Sequence, residues 1–164
     1  MRSSRLSMAL ESGLFVVPAE GRVAVIRPRI GDELGDLPKD RVQVVTGFRP
    51  DHDWFAARGY AVAAQAEGPY AAAVVCLPRA KAQAKALIAA AAGLVVPGGP
   101  VVIDGQKTDG VDALLKELRG RVDLSEVLSK AHGKLAVFPA VTGLADWADR
   151  GADVDGFRTV AGVF

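Results

Sequence analysis

The chain is predicted to fold as an α/β domain on a mostly parallel, doubly wound sheet that closes with a C-terminal antiparallel hairpin. Three observations carry this expectation. Short β-prone runs alternate with stretches of helical periodicity, the pattern of strand-helix-strand units. One run, Ala71 to Leu77, is apolar throughout, as a strand covered on both faces of a parallel sheet must be. Further on, Ser125 to Ser129 and Leu135 to Phe138 flank the turn Lys130-Ala131-His132-Gly133, the layout of a hairpin.

Taken in chain order, Leu6, Leu10, Gly13 and Leu14 space out a short helix, and Phe15-Val16-Val17-Pro18 leads towards a first strand, Val23-Ala24-Val25-Ile26, closed by Arg27-Pro28. Val42-Gln43-Val44-Val45 is the second strand and stops at Thr46-Gly47. Pro50-Asp51 opens a helix through Trp54, Phe55 and Arg58 that Gly59 terminates, and Tyr60-Ala61-Val62 is a weaker third strand. After the central run, Pro78 is expected to start a long helix with Ala80, Ala84, Leu87, Ile88 and Ala91 on one side, Lys81 and Lys85 on another, and Gly93 as its stop. Pro97-Gly98-Gly99-Pro100 turns the chain into Val101-Val102-Ile103. Thr108 is placed to cap a helix striped by Val111, Leu114, Leu115 and Leu118. Asp109 and Asp112 in its first turn, with Lys116 and Arg119 in its last, match the helix dipole.

A length of 164 residues, half of them hydrophobic, suits one domain able to bury its own core. Twenty Lys and Arg against 19 Asp and Glu leave no global field to draw the chain onto nucleic acid or membrane, so any basic site is local. The single Cys76 excludes an internal disulfide framework and suits a reducing, cytosolic compartment; in its apolar run it reads as a core residue. No stretch approaches a membrane span, and the basic start Met1-Arg2-Ser3-Ser4-Arg5 is not followed by the apolar block of a signal peptide. The domain is expected to occupy residues 1–150. Gly151 to Gly156 reads as a linker, and 151–164 as the lead into a further domain, because the run Thr159 to Phe164 stops without turn, cap or polar tail.

Ligands of such a sheet bind beyond the carboxyl ends of its strands, so the loops after Ile26, Val45, Leu77 and Ile103 are where chemistry is expected. A nucleotide or S-adenosylmethionine site asks for a glycine-rich turn after the first strand and an acid after the second. The loops here are Arg27-Pro28-Arg29-Ile30-Gly31-Asp32 and Thr46-Gly47-Phe48-Arg49, which supply neither. Gly98-Gly99 and Gly105 read as turns rather than a phosphate loop. Asp51-His52-Asp53 resembles a metal cluster, but sequence neighbours rarely converge on one ion and Asp at a helix start is a common cap. What the loops share is cations: Arg27 and Arg29, then Arg49, then Arg79 and Lys81, then Lys107. Lined along one sheet edge they form a candidate row of RNA-phosphate contacts, with Lys130 and Lys134 as outlying helpers and Phe48 and Trp54 as the nearby aromatics. The bland reading is a solvated rim, since Asp32, Asp51, Asp53, Asp104 and Asp109 alternate with these cations.

Several segments together resemble the amino-terminal domain of the ribosomal RNA small subunit methyltransferase C family, guanine-N2 methyltransferases. They are Leu77-Pro78-Arg79-Ala80-Lys81, Gly105-Gln106-Lys107-Thr108-Asp109-Gly110-Val111, Ser129-Lys130-Ala131-His132-Gly133-Lys134-Leu135 and Thr159-Val160-Ala161-Gly162-Val163-Phe164. The resemblance implies two tandem Rossmann-like methyltransferase domains, the first degenerate and the second binding S-adenosylmethionine, with this chain as the first. Cys76-Leu77-Pro78-Arg79 stands where an active member would carry Asn-Pro-Pro-aromatic, so no catalytic, cofactor-binding or metal-binding residue carries over. The expected role is non-catalytic: binding small-subunit ribosomal RNA and supporting the C-terminal catalytic domain, which would hold the cofactor. Two other functions are open, a small self-contained enzyme acting on a phosphorylated metabolite through the same cations, and a purely structural scaffold.

Overall fold

The computed structural model describes residues 2–141 and 144–147. Residues 151–164, and with them the expected linker and lead-out, lie outside the described residues. Among the described residues seven strands form one sheet: β1 (Val23–Ile26), β2 (Val42–Val45), β3 (Ala61–Ala63), β4 (Ala72–Cys76), β5 (Pro100–Gln106), β6 (Leu128–Lys130) and β7 (Gly133–Pro139). Their order is β3-β2-β1-β4-β5-β7-β6. β1 to β5 pair in parallel, whereas β7 runs antiparallel to both β5 and β6. The expected doubly wound sheet with a terminal hairpin is therefore present.

Helices cover both faces. Because side chains alternate along a strand, one set faces α1 (Arg2–Ser12) and α2 (Arg49–Ala57): Val23 and Val25 of β1, Val74 and Cys76 of β4, and Val102 of β5 pack with Leu6, Phe15 and Phe55. The other set, including Ala24, Ile26, Val75, Val101 and Ile103, packs with α3 (Lys81–Leu94) and α4 (Val111–Arg119) through Leu87, Ile88, Leu114 and Leu118. Every residue from Ala71 to Pro78 is buried, as the continuous apolar run requires.

Several boundaries differ from expectation. α3 begins at Lys81 and not at Pro78, because Leu77 still donates its N–H to the Asp104 carbonyl and Pro78 is buried in the loop beyond β4. It also runs through Gly93 to Leu94, whose carbonyl accepts from Tyr70. β5 continues past Ile103 to Gln106 because β7 pairs with it residue for residue up to Gln106 and Gly133. Gly105 is thus a strand residue and not a turn; a Cβ there would lie 2.7 Å from Leu77 Cδ1 and 3.1 Å from Val111 Cβ. Thr108 does not cap α4: it lies in a 3-10 turn, Lys107–Asp109, and Gly110, with φ 77°, leads into the helix.

Candidate functional site

β1 is flanked by β2 on one side and β4 on the other, so the strand order reverses between β1 and β4. A crevice beyond the carboxyl ends of strands at such a reversal is the usual ligand site of an open α/β sheet. Here it is a cleft of about 400 Å³ lined by Arg27, Arg29 and Ile30 after β1, Phe48 and Asp51 at the start of α2, and Cys76 and Pro78 at the end of β4. Its floor is apolar and closed, since Cys76 is 2% exposed and Pro78 is buried. Its mouth carries Phe48, which is 57% exposed and so is not a core residue.

Hydrogen bonds shape the rim. Ile30 N–H donates to Asp51 Oδ1 at 3.0 Å, tying the β1 loop to the first turn of α2, and Arg29 N–H donates to Asp32 Oδ2 at 2.9 Å. Phe48 N–H donates to Thr46 Oγ1 at 3.2 Å, which fixes the backbone from which the ring projects. Arg27 sits in the left-handed region at φ 60°, an arrangement that costs a non-glycine residue about 1 kcal/mol or more. Its own N–H is held by the Val45 carbonyl at 2.8 Å.

The remaining cations of the row divide. Arg79 and Lys81 line a second cleft of about 240 Å³ with Thr108, Asp109 and Leu114, where α3 and α4 begin. Arg79 is mostly exposed, with Nε 3.9 Å from Asp109 Oδ1. Lys81 turns towards α4 and pairs with Glu117, which also receives Lys85 at 2.8 Å. Hydrogen bonds from Lys81 and then Lys85 pull the Glu117 carboxyl from 4.5 down to about 2. Arg49 is exposed on α2 and meets Asp53 at 3.3 Å, and Lys107 is exposed beyond β5. The six candidate residues follow β1, β2, β4 and β5 in the chain, and of them Arg27 and Arg29 line the larger cleft together. Of the helpers, Lys130 is exposed and Lys134 pairs with Asp112 at 2.5 Å. Among the described residues no group of three or more His, Cys, Asp or Glu is gathered so as to hold a metal ion.

Two of the supposed surface residues are core. Asp104, counted with the rim acids, is fully buried, and so is Arg5, which stood in the basic start of the chain. Arg5 Nε donates to Asp104 Oδ1 at 2.7 Å, and Nη1 donates to the carbonyls of Lys130 at 2.9 Å and Ala131 at 3.4 Å. The guanidinium braces the β6–β7 hairpin, whose two turn residues Ala131 and His132 both have positive φ, 53° and 60°. A Cβ on Gly133 would collide with that guanidinium, which explains the glycine beside the turn. The signal for this arrangement was present in the alternation along β5: Asp104 lies two residues after Val102, on the face that meets α1.

No family model matches the chain, and no curated protein matches its sequence. Solved structures do. A T. thermophilus 16S rRNA N2 G1207 methyltransferase, solved with AdoMet and guanosine, is 24% identical with a TM-score of 0.64 over 76% of this chain. The chain has a methyltransferase fold. An rRNA methylase from Streptococcus thermophilus is 15% identical, with a TM-score of 0.56 over 86% of this chain and 98% of its own. A ribosomal protein L11 methylase from Lactobacillus delbrueckii subsp. bulgaricus is 11% identical, with a TM-score of 0.59 over 85% of this chain and 78% of its own. Of the T. thermophilus enzyme, this chain spans 36% of the length. These likenesses establish the fold.

The T. thermophilus enzyme was solved with AdoMet, and the loop after β1 in this chain differs from a glycine-rich cofactor loop. The first loop presents the side chains of Arg27 and Arg29 where a glycine-rich turn would let the backbone approach a ligand. Asp51, the acid among the residues lining the cleft, accepts a backbone N–H from Ile30. No helix among the described residues is long and apolar enough to cross a membrane.

Proposed function

We propose that this chain is a non-catalytic, methyltransferase-like domain of a 16S ribosomal RNA guanine-N2 methyltransferase, and that it helps to bind the RNA and supports a catalytic domain of the same protein. The observation that carries the reading is the switch-point cleft, placed as a ligand site but rimmed by two arginines. In this reading residues 1–150 form the domain, 151–164 lead to the catalytic domain, and that domain alone holds S-adenosylmethionine. The partner is small-subunit ribosomal RNA and the compartment is the cytoplasm. Support comes from the likeness to a 16S rRNA methyltransferase and from four basic loops on one sheet edge, which suit phosphate contacts.

Labelled fragments of small-subunit RNA titrated with this chain at several salt concentrations test the proposal, with S-adenosylmethionine followed calorimetrically in parallel. RNA affinity is expected to fall with salt, by a log-log slope of about 0.7 for each phosphate neutralised, and no heat of cofactor binding is expected. Stoichiometric binding of the cofactor overturns the non-catalytic reading. A second reading, a scaffold without RNA contact, is favoured by one observation: Arg49, Arg79 and Lys81 each face an acid, respectively Asp53, Asp109 and Glu117. Replacing Arg79, Lys81 and Lys107 by alanine separates the two, since only RNA binding through this row loses affinity.

A further inference from the structure

We infer that the switch-point cleft is a pocket for one unpaired RNA nucleotide, its base stacked on Phe48 and its phosphate held by the Arg29 side of the rim; this rests on the RNA-binding reading above. The argument starts from Phe48. Phe48 is 57% exposed and Ile30 51%, and both line the cleft, so two large apolar side chains lie open at one ligand-sized space. Its position does not drift, because the Thr46 hydroxyl holds its N–H and the chain enters α2 one residue later.

An aromatic face next to guanidinium groups is the combination that binds single-stranded nucleic acid: every base offers a π-face and every nucleotide a phosphate. Arg29 lines the same cleft and is exposed, in a loop clamped by Asp32 and by the Ile30–Asp51 hydrogen bond, so the charge is presented from a fixed backbone. The volume, about 400 Å³, lies in the range that encloses small organic ligands. The cleft ends on Cys76 and Pro78, both buried, and its volume suits a single nucleotide and not a duplex.

Titration with adenosine, guanosine, cytidine and uridine 5′-monophosphates, followed by amide NMR shifts, tests the pocket. Shifts are expected at Ile30, Phe48 and Asp51. Phe48→Leu is expected to weaken the monophosphates and a single-stranded oligonucleotide roughly tenfold while leaving affinity for inorganic phosphate unchanged. Arg29→Ala should weaken all of these ligands. Since both side chains are exposed, neither change should alter the fold, which circular dichroism verifies. Equal affinity for phosphate and for nucleotides overturns the proposal, and so do shifts confined to the cleft between α3 and α4. If single-stranded RNA binds but Phe48→Leu has no effect, this pocket falls while the RNA-binding reading stands. If monophosphates bind but RNA does not, the ligand is a free nucleotide and both fall.

Discussion

Arg5 shows how one side chain can join parts of the chain that are far apart in sequence. It links α1 to β5 through Asp104 and to the hairpin through two backbone carbonyls, and it is wholly enclosed. Removing one member of a buried pair strands the other charge, which costs about 3–5 kcal/mol, whereas replacing both by apolar groups of similar volume is far milder. Arg5→Met is therefore expected to lower stability by about that amount in urea unfolding. Arg5→Met with Asp104→Leu should recover much of the loss, the remainder reflecting the Lys130 and Ala131 carbonyls. Simple additivity of the two single changes would show that the pair is not coupled. The pair escaped the sequence reading because an Arg at the start of a chain and an Asp after a strand both resemble solvent residues. Their burial depends on α1 docking over β5: the alternation along β5 gives the face on which Asp104 lies, but not that α1 covers it.

α3 and α4 are joined by Glu117, which accepts from Lys81 and Lys85 together. Its folded-state pKa, about 2, lies below the ordinary 4.5, so the unfolded chain takes up the proton first as pH falls. The stabilisation is thus complete above about pH 4.5 and disappears as the pH approaches 2. Urea midpoints measured across this window should decline, and Glu117→Gln should remove part of that slope. The same two helices show where local signals mislead. Pro78 is a good first residue of a helix by its fixed φ, yet the strand hydrogen bonding of Leu77 to Asp104 holds the chain extended past it. Gly93 is a good terminator, yet the bridge between Tyr70 and Val95 sets the helix end beyond it. The helix stripe Val111, Leu114, Leu115 and Leu118, by contrast, is buried as its spacing foretold.

For the molecule as a whole, burial is greatest in the middle of the sheet and least at its edges. β1, β4 and most of β5 are buried residue by residue, while β3 and β6 are partly or fully exposed and, among the described residues, pair on one side only. Amides of β1, β4 and β5 are expected to exchange slowest with deuterium and those of β3 and β6 early, as mass spectrometry of the exchanged protein would reveal. Slow exchange at β3 would point to a partner pairing along that edge. The alternation of strands and helices, the buried central run and the hairpin were legible in the residues, because hydrophobic periodicity is a local record of which faces meet a core. So was the cationic character of the strand-end loops. Folding divided four of those cations between two clefts, left Arg49 and Lys107 outside both, set Phe48 beside one and drew Asp104 into the core. Those outcomes rest on strand order, on helix docking and on the pairing of β5 with β7, contacts between residues far apart in the chain that periodicity within any one segment does not encode.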